Sequence, residues 1–174
     1  MGGQALDAPD IVNAWCLPGG KMAVYTGLLP LCPDDDSLAA VMGHEIGHAV
    51  ARHSGERLSQ QRLTELGISL TAAAVDERYQ ADVVAALGVG AQLGIVLPYS
   101  REHEYEADEI GLILMVKAGY DPRAAVALWD RMAARAGDRG PEFLSTHPFP
   151  EKRARRLQSL IPGILERYSG RPQK

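Results

Sequence analysis

The sequence predicts an α+β fold that is predominantly helical, with a small N-terminal sheet or hairpin. Hydrophobic residues make up 46% of the chain but aromatic residues only 6%, and such a composition, rich in Ala, Leu and Gly, favours closely packed helices. Between residues 11 and 31, alternating apolar positions and the turn sequence Pro18-Gly19-Gly20 predict extended structure. Apolar residues at helical spacing predict helices through most of the remaining chain.

The length of 174 residues predicts one domain over residues 1–174, large enough to bury a core without disulfides. Cys16 and Cys32 are too few for a disulfide framework, and we expect two unpaired, buried thiols. The net charge of -4 and the scattered basic residues argue against binding to nucleic acid. Residues 1–10 lack the basic start and apolar run of a secretory signal.

The first predicted helix begins at Pro33-Asp34-Asp35-Asp36-Ser37, where capping side chains and negative charge stabilise exposed N–H groups. It runs to about Arg52 and is apolar on more than one face, which is typical of a core helix. A break is expected at Pro98-Tyr99-Ser100, and Gly119 should end the helix that follows it. Further helices are predicted over residues 58–70, 82–93, 101–118, 122–135 and 151–160.

No stretch reaches the roughly 18 uninterrupted apolar residues that a membrane-spanning helix needs. The nearest candidate, residues 83–97, is short and contains Gln92 and several glycines. We therefore expect a buried helix there and no transmembrane helix in this chain. Peripheral contact with a membrane is the weaker alternative.

The segment His44-Glu45-Ile46-Gly47-His48 matches the pattern HExxH inside a predicted helix. Residues four apart lie on one helix face, so both imidazoles can reach the same ion from a rigid support. Glu45 is rotated by about 100° from His44, which puts its carboxylate beside the metal, where it can act as a general base. The pattern predicts one Zn²⁺ per chain, bound by His44 and His48.

A catalytic zinc site usually has three protein ligands. The pattern that supplies a third histidine, HExxHxxGxxH, fails because Ala51 and Ser54 occupy its glycine and histidine positions. His53 is out of register with that pattern, and we expect it at the surface near the end of the helix.

The segment 101–109 contains most of the remaining candidates for the third ligand. A helix presents Glu104 and Asp108 on one face, so that one can bind the metal while the other accepts a hydrogen bond from a ligand imidazole. His103 is the rival ligand, and the residues alone leave this choice open. The other acidic residues fall on other faces and are expected to be solvated: Glu102, Glu106 and Glu109.

Several separated motifs occur in a shared order from Asn13 onward, and together they resemble a known family. They are Gly43-His44-Glu45-Ile46-Gly47-His48, Pro98-Tyr99-Ser100-Arg101, Glu104-Tyr105-Glu106-Ala107-Asp108, Ala118-Gly119-Tyr120-Asp121-Pro122, and Ser145-Thr146-His147-Pro148 followed by Arg153. The chain resembles the gluzincin peptidases related to HtpX and the CAAX prenyl proteases. These form family forty-eight of the metallopeptidases, and the similarity is greatest to the BepA-like and Oma-like branch.

This resemblance implies a zincin-like metalloprotease fold with zinc bound by His44, His48 and Glu104. It implies that Glu45 is the general base and that Asp108 supports the ligands from behind. It also implies that His147, in protonated form, and Arg153 stabilise the developing oxyanion, or that His147 approaches the metal.

The activity implied is that of a metalloendopeptidase of envelope protein quality control, in the periplasm or cell envelope. Its partners would be unfolded or misassembled polypeptides, bound in extended form along the strand at residues 21–25. The alternative is a latent, chaperone-like module in which His147 occupies the fourth position on zinc and leaves no room for water.

Overall fold

The computed structural model describes residues 2–135, 147 and 150–169, apart from the side chains of residues 97–99 and 150. The chain forms two compact units: the first comprises residues 1–51 and 104–174, and the second comprises residues 52–103. The predicted predominance of helix is confirmed. The prediction of one domain over the whole chain stays a prediction.

The first unit begins with a three-stranded sheet, as predicted. Strands β1 (Gly2–Leu6), β2 (Ala14–Cys16) and β3 (Lys21–Tyr25) lie in the order β1-β3-β2. Strand β3 pairs in parallel with β1 and antiparallel with β2, and Gly19 and Gly20 supply the positive φ angles of the β2–β3 turn. Because β3 is the central strand, the prediction that a substrate pairs with residues 21–25 is wrong.

Helix α1 (Asp35–Val50) follows a short 3-10 helix, Thr26–Leu31. The Oδ1 atom of Asp34 accepts a hydrogen bond of 2.8 Å from the backbone N–H of Ser37, so the predicted cap is confirmed. The helix is buried along much of its length, as its apolar composition predicts. It therefore gives a rigid support to the side chains on its inner face.

Helix α4 (Leu97–Ala118) packs against α1 through backbone contacts at glycine positions. A Cβ atom added to Gly47 would lie 2.6 Å from the carbonyl oxygen of Ala107, and one added to Gly43 would lie 3.0 Å from that of Gly111. Any larger residue would push the helices apart at this contact. The two glycines of α1 therefore fix how closely α4 approaches.

Helices α5 (Arg123–Arg135) and α6 (Pro150–Tyr168) pack against each other and complete the first unit. Gly119, with φ of 87°, ends α4 as predicted. Helix α6 continues well beyond its predicted end at residue 160, because its apolar face extends further: Leu157, Ile161 and Ile164 are all buried in the core.

The second unit contains α2 (His53–Ala73), a 3-10 turn Glu77–Tyr79, α3 (Gln80–Ala91) and a π-helical segment Gln92–Val96. The predicted break at Pro98-Tyr99-Ser100 is wrong, because α4 already begins at Leu97. Proline is tolerated in the first turn of a helix, where its missing N–H does least harm.

The prediction that residues 83–97 form a buried helix is also wrong. Val89 is 61% exposed and Leu93 63%, and neither α3 nor the π-helical segment contains a buried residue. The helical stretch Glu77–Ala118 has the length and composition of a membrane span. An apolar composition on all sides indicates that a helix avoids water, but it does not distinguish a protein core from lipid.

We expect Gly47→Ala to destabilise the first unit, because its new Cβ atom would clash with the backbone of Ala107. Overpacking of this kind costs about 1–3 kcal/mol, which urea denaturation can measure. Gly55→Ala in α2 is the matched control, since nothing lies within 4 Å of its added Cβ atom. Equal stability of the Gly47 variant and the wild type would contradict the close contact.

Candidate metal centre

Three side chains from two helices converge in the first unit. His44 and His48 lie one turn apart on α1, and their Nε2 atoms are 3.0 Å from each other. From α4, Glu104 places Oε2 3.4 Å from His44 Nε2 and Oε1 3.3 Å from His48 Nε2. Counting one ligand atom from each, these residues and His147 lie within 4.8 Å of one another.

The environment of Glu104 fits a bound cation. Its side chain is fully buried; Oε2 has the Arg153 guanidinium at 2.7 Å, whereas Oε1 makes no hydrogen bond of good geometry within the described part of the chain. A buried carboxylate without such bonds is costly unless a cation compensates it. Two imidazoles and one carboxylate form a ligand set typical of catalytic zinc sites.

Asp108 lies one helical turn beyond Glu104 and contacts the other side of the His44 ring. Its Oδ1 atom is 3.1 Å from His44 Nδ1. Such a contact holds the proton on Nδ1 and directs the Nε2 lone pair towards the metal position. Burial alone would raise the pKa of Asp108, but the charge and hydrogen bonds of Arg153 lower it to about 2.

Arg153 is fully buried beneath these carboxylates. Its Nε and Nη2 atoms donate to the two oxygens of Asp108 at 2.8 and 2.6 Å, and Nη1 lies 2.7 Å from Glu104 Oε2. Burial would raise the pKa of Glu104, but His44, His48 and Arg153 hold it well below its usual range. Arg153 therefore keeps both carboxylates ionised and in place, which differs from the predicted contact with an oxyanion.

Trp129 on α5 is a residue that the sequence analysis missed. Its ring lies 3.7 Å from the centre of the Arg153 guanidinium and meets the His44 ring edge-on at 6.0 Å. The only signal in the sequence is its place on the apolar face of α5, which Leu128 and Met132 share. That pattern does not distinguish a residue that packs against Arg153 from an ordinary core residue.

Glu45 lies beside the converging ligands, as the HExxH pattern predicts. Burial, together with the negative charge of Glu104, raises the pKa of Glu45 to about 7, although the charges of His44 and Arg153 and a backbone hydrogen bond from Cys16 oppose the shift. A carboxyl group with such a pKa can take up and release a proton near neutral pH.

His147 reaches the same site from a distant part of the sequence. Its Nε2 atom lies 3.3 Å from Glu45 Oε1. Burial and the nearby charge of His44 hold the pKa of His147 well below its usual value, so a neutral ring is favoured over the predicted protonated one. The motif residues around it, Ser145, Thr146 and Pro148, lie outside the described residues.

His103, the rival for the third ligand position, lies elsewhere. Within the second unit its Nε2 atom is 3.1 Å from Glu56 Oε2, and its ring stacks on His53 at a centroid distance of 4.0 Å. The expectation that His53 is a surface residue is wrong, since it is only 1% exposed. It begins a new helix, α2, rather than trailing from the end of α1.

Comparison with known proteins identifies relatives over most of the chain. The family model described as Peptidase family M48 matches residues 3–161. The mitochondrial metalloendopeptidase OMA1 of Schizosaccharomyces pombe is 44% identical over 152 residues, covering 86% of this chain and 44% of the relative. Its human counterpart is 36% identical over 94% of this chain and 33% of its own length. The beta-barrel assembly-enhancing protease of Escherichia coli is 31% identical over 83% and 31% respectively.

The chain thus spans less than half the length of these curated relatives.

We expect Arg153→Lys to weaken metal binding, because lysine cannot donate to both oxygens of Asp108 while also contacting Glu104. Loss of such support typically lowers metal affinity by about 10–100-fold. Competition with a chromophoric chelator measures the affinity for Zn²⁺. Arg156→Lys is the control, since Arg156 is exposed and its guanidinium contacts Glu109 at 3.5 Å and the Tyr105 ring at 5.0 Å, neither of which is a proposed metal ligand. Equal affinity in both variants would contradict the role given to Arg153.

Proposed function

Because this chain belongs to peptidase family M48, we propose that it is a zinc-dependent metalloendopeptidase that hydrolyses peptide bonds of unfolded or misassembled proteins. The observation that carries the proposal is the convergence of His44, His48 and Glu104 beside the Glu45 carboxylate. The same residue types at this spacing are what metal-assisted hydrolysis requires.

We assign His44, His48 and Glu104 as the zinc ligands. Bound there, zinc would supply an activated water as nucleophile and a Lewis acid for the scissile carbonyl. Zinc binding requires an unprotonated Nε2 atom on both imidazoles and an ionised carboxylate. Burial and the charge of Arg153 would lower the pKa of His44, but its hydrogen bonds to Asp108 and Glu104 raise it to about 9, so this ring must lose a proton when it binds zinc. The contacts of Asp108 with His44 and of Arg153 with Glu104 support this assignment.

Glu45 is the proposed general base. It would accept a proton from the attacking water and deliver it to the amine that leaves. Burial raises the pKa of this carboxyl in the metal-free chain, which favours uptake of the proton from water. The buried position limits exchange of that proton with solvent.

His147 is the proposed donor to the oxygen that becomes negative as the peptide carbonyl is attacked. A neutral imidazole can donate through one N–H, and a preorganised donor of this kind is worth on the order of 3 kcal/mol. Arg153 acts differently, as a positioning residue that holds Asp108 and Glu104.

The outer edge of β2 is the proposed place for an extended substrate. On either side of β2, the carbonyl oxygen of Asn13 accepts a hydrogen bond from the N–H of Tyr25, and the N–H of Leu17 donates one to the carbonyl oxygen of Lys21. The alternation of an antiparallel pair therefore turns the N–H of Cys16 to the outer side. The backbone hydrogen bond from Cys16 to Glu45 brings that edge to the proposed base. A peptide added antiparallel to β2 would present its own backbone there, with little regard to side-chain sequence.

The proposed setting is protein quality control in a cell envelope. One kind of relative supports it by its name, the beta-barrel assembly-enhancing protease of Escherichia coli, whereas the other is named as a mitochondrial metalloendopeptidase. Both the substrates and the periplasmic or envelope location are proposed on this ground.

We expect Glu45→Gln to abolish casein cleavage while the protein still binds one zinc ion, because the amide keeps the shape of the base but cannot take up a proton. Removing a general base typically costs about 10²–10⁴-fold in rate. Glu106→Gln is the matched control, since Glu106 is exposed on the same helix as Glu104. Metal analysis alongside cleavage checks both points. An active, zinc-loaded Glu45→Gln protein would exclude the proposed base.

His147→Ala separates the protease from the latent, chaperone-like alternative. As an oxyanion donor, His147 should be needed for turnover, and its loss should slow cleavage by about 10²-fold or more. If His147 instead blocks the metal, the variant should cleave casein faster than the wild type. Initial rates under zinc saturation distinguish the two outcomes.

A further inference from the structure

We propose that a groove between α1 and α4 binds an amphipathic, positively charged helix of a partner protein. This α1–α4 groove is lined mainly by six side chains: Leu38, Met42, Ile46, Leu114, Ala118 and Tyr120. All of them belong to the first unit. The proposal goes beyond peptide hydrolysis, since none of these residues is assigned to the metal centre.

The α1–α4 groove lies on the face of α1 that points away from the metal ligands. Successive residues of a helix are rotated by about 100°. Met42 and Ile46, two residues before and after His44, are therefore each turned by roughly 160° from it. In agreement, His44 is buried whereas Met42 and Ile46 are partly exposed. A partner in the groove would not cover the metal ligands.

Apolar side chains follow this face of α1 at a spacing of four residues. Leu38, Met42 and Ile46 are partly exposed, and Val50 continues the row with 59% of its surface exposed. Such a row forms one ridge of a helix, and the groove beside it can accept the ridge of another helix. Contiguous apolar surface that a folded chain leaves uncovered marks an interaction site.

The size of the α1–α4 groove favours side chains of a larger partner over a whole small molecule. Its volume is about 220 Å³, whereas sites that enclose a drug-sized ligand typically measure about 300–1,000 Å³. An amphipathic helix presents apolar side chains three or four residues apart on one face, and these can enter a groove together. The flexible side chain of Met42 can adapt its shape to them.

A carboxylate at one end of the α1–α4 groove favours a positively charged partner. Asp35 lines the groove, and among the described residues no side chain forms a hydrogen bond or ion pair with it. The neighbouring carboxylates already have partners: Asp34 caps α1 through the N–H of Ser37, and Asp36 accepts a hydrogen bond from the N–H of Asp121. A Lys or Arg of the partner would complement the charge of Asp35.

The arginines near this end of the groove are engaged elsewhere. Arg123 forms an ion pair with Asp121 at 3.1 Å. Arg131 donates a hydrogen bond of 2.8 Å to the hydroxyl group of Ser37. The charge of Asp35 is therefore left for a partner, and the groove combines an apolar wall with a negative end.

The experiment uses a fluorescent helical peptide of about 18 residues, or five turns, made of Leu, Ala and Lys with Leu on one face. Its anisotropy is measured with the zinc-loaded Glu45→Gln chain, so that the probe is not cleaved. We expect Leu38→Asn/Met42→Gln in this background to weaken binding by about tenfold or more, because two apolar contacts are lost. Leu63→Gln is the control, since Leu63 is 70% exposed in the second unit, and it should bind like the parent.

Asp35→Asn tests the charge without changing the apolar wall. We expect it to weaken binding about threefold at low salt and to have little effect at about 0.5 M salt, where exposed charges are screened. Asp82→Asn is the matched control, because Asp82 is likewise an exposed acidic residue in the first turn of a helix. A probe with Glu in place of Lys should bind more weakly than the Lys probe.

Far-UV circular dichroism and metal analysis verify that each variant is folded and loaded. The proposal would be overturned if Leu38→Asn/Met42→Gln bound the probe as tightly as the parent, or if only Leu63→Gln lost binding. Displacement of the probe by casein would also overturn it, because the probe would then occupy the cleavage site. A wild-type dimer that Leu38→Asn/Met42→Gln converts to monomers would instead assign the groove to a second copy of the chain.

Discussion

The backbone contact between α1 and α4 is the constraint on which the candidate metal centre depends. Gly43 and Gly47 lie on the same helix as His44 and His48, and their contacts, Ala107 and Gly111, alternate along α4 with Glu104 and Asp108. Short carboxylate side chains can reach the imidazoles only because the helix axes are this close. The glycine inside HEIGH therefore serves packing, while the residues around it serve metal chemistry.

Beneath that contact, a single arginine balances two buried carboxylates. Arg153 bonds both oxygens of Asp108 and approaches Glu104, and the ring of Trp129 covers the guanidinium. Buried charges are tolerated only when their partners satisfy them geometrically. The planar arginine fork meets this requirement, whereas the compact ammonium group of lysine would not. Arg153 thus stabilises the negative charge of Asp108 and Glu104, and a divalent cation needs such negative charge beside it.

The sequence predicted the local features of the molecule better than its long-range ones. HExxH, the Asp34 cap and the Gly119 terminus depend on residues close in sequence, so their spacing was informative. Glu104 and His103 could not be separated by spacing alone, because the choice depends on which face of α4 meets α1. Trp129 was missed for the same reason, and the central position of β3 depends on a strand at residues 2–6 that the prediction began too late to include.

The local sequence pattern also failed to predict which residues are buried. His53 is buried although it follows a helix end, and Val89 and Leu93 are exposed although they are apolar. An apolar side chain is more stable away from water. Which partner covers it, however, depends on the rest of the chain and its surroundings. The roles assigned to the individual site residues, by contrast, follow from the chemistry of their side chains. The distances between those side chains now allow the roles to be tested.

The side chains of the metal centre are also dispersed in translation order. His44 and His48 are synthesised first, Glu104 follows only after the entire second unit, and His147 and Arg153 come later still. A growing polypeptide therefore carries two imidazoles long before it carries the carboxylate and the guanidinium that complete the set. The complete set of side chains can therefore assemble only after the segment up to Arg153 has been synthesised, and the two imidazoles have to wait for their partners across the whole second unit.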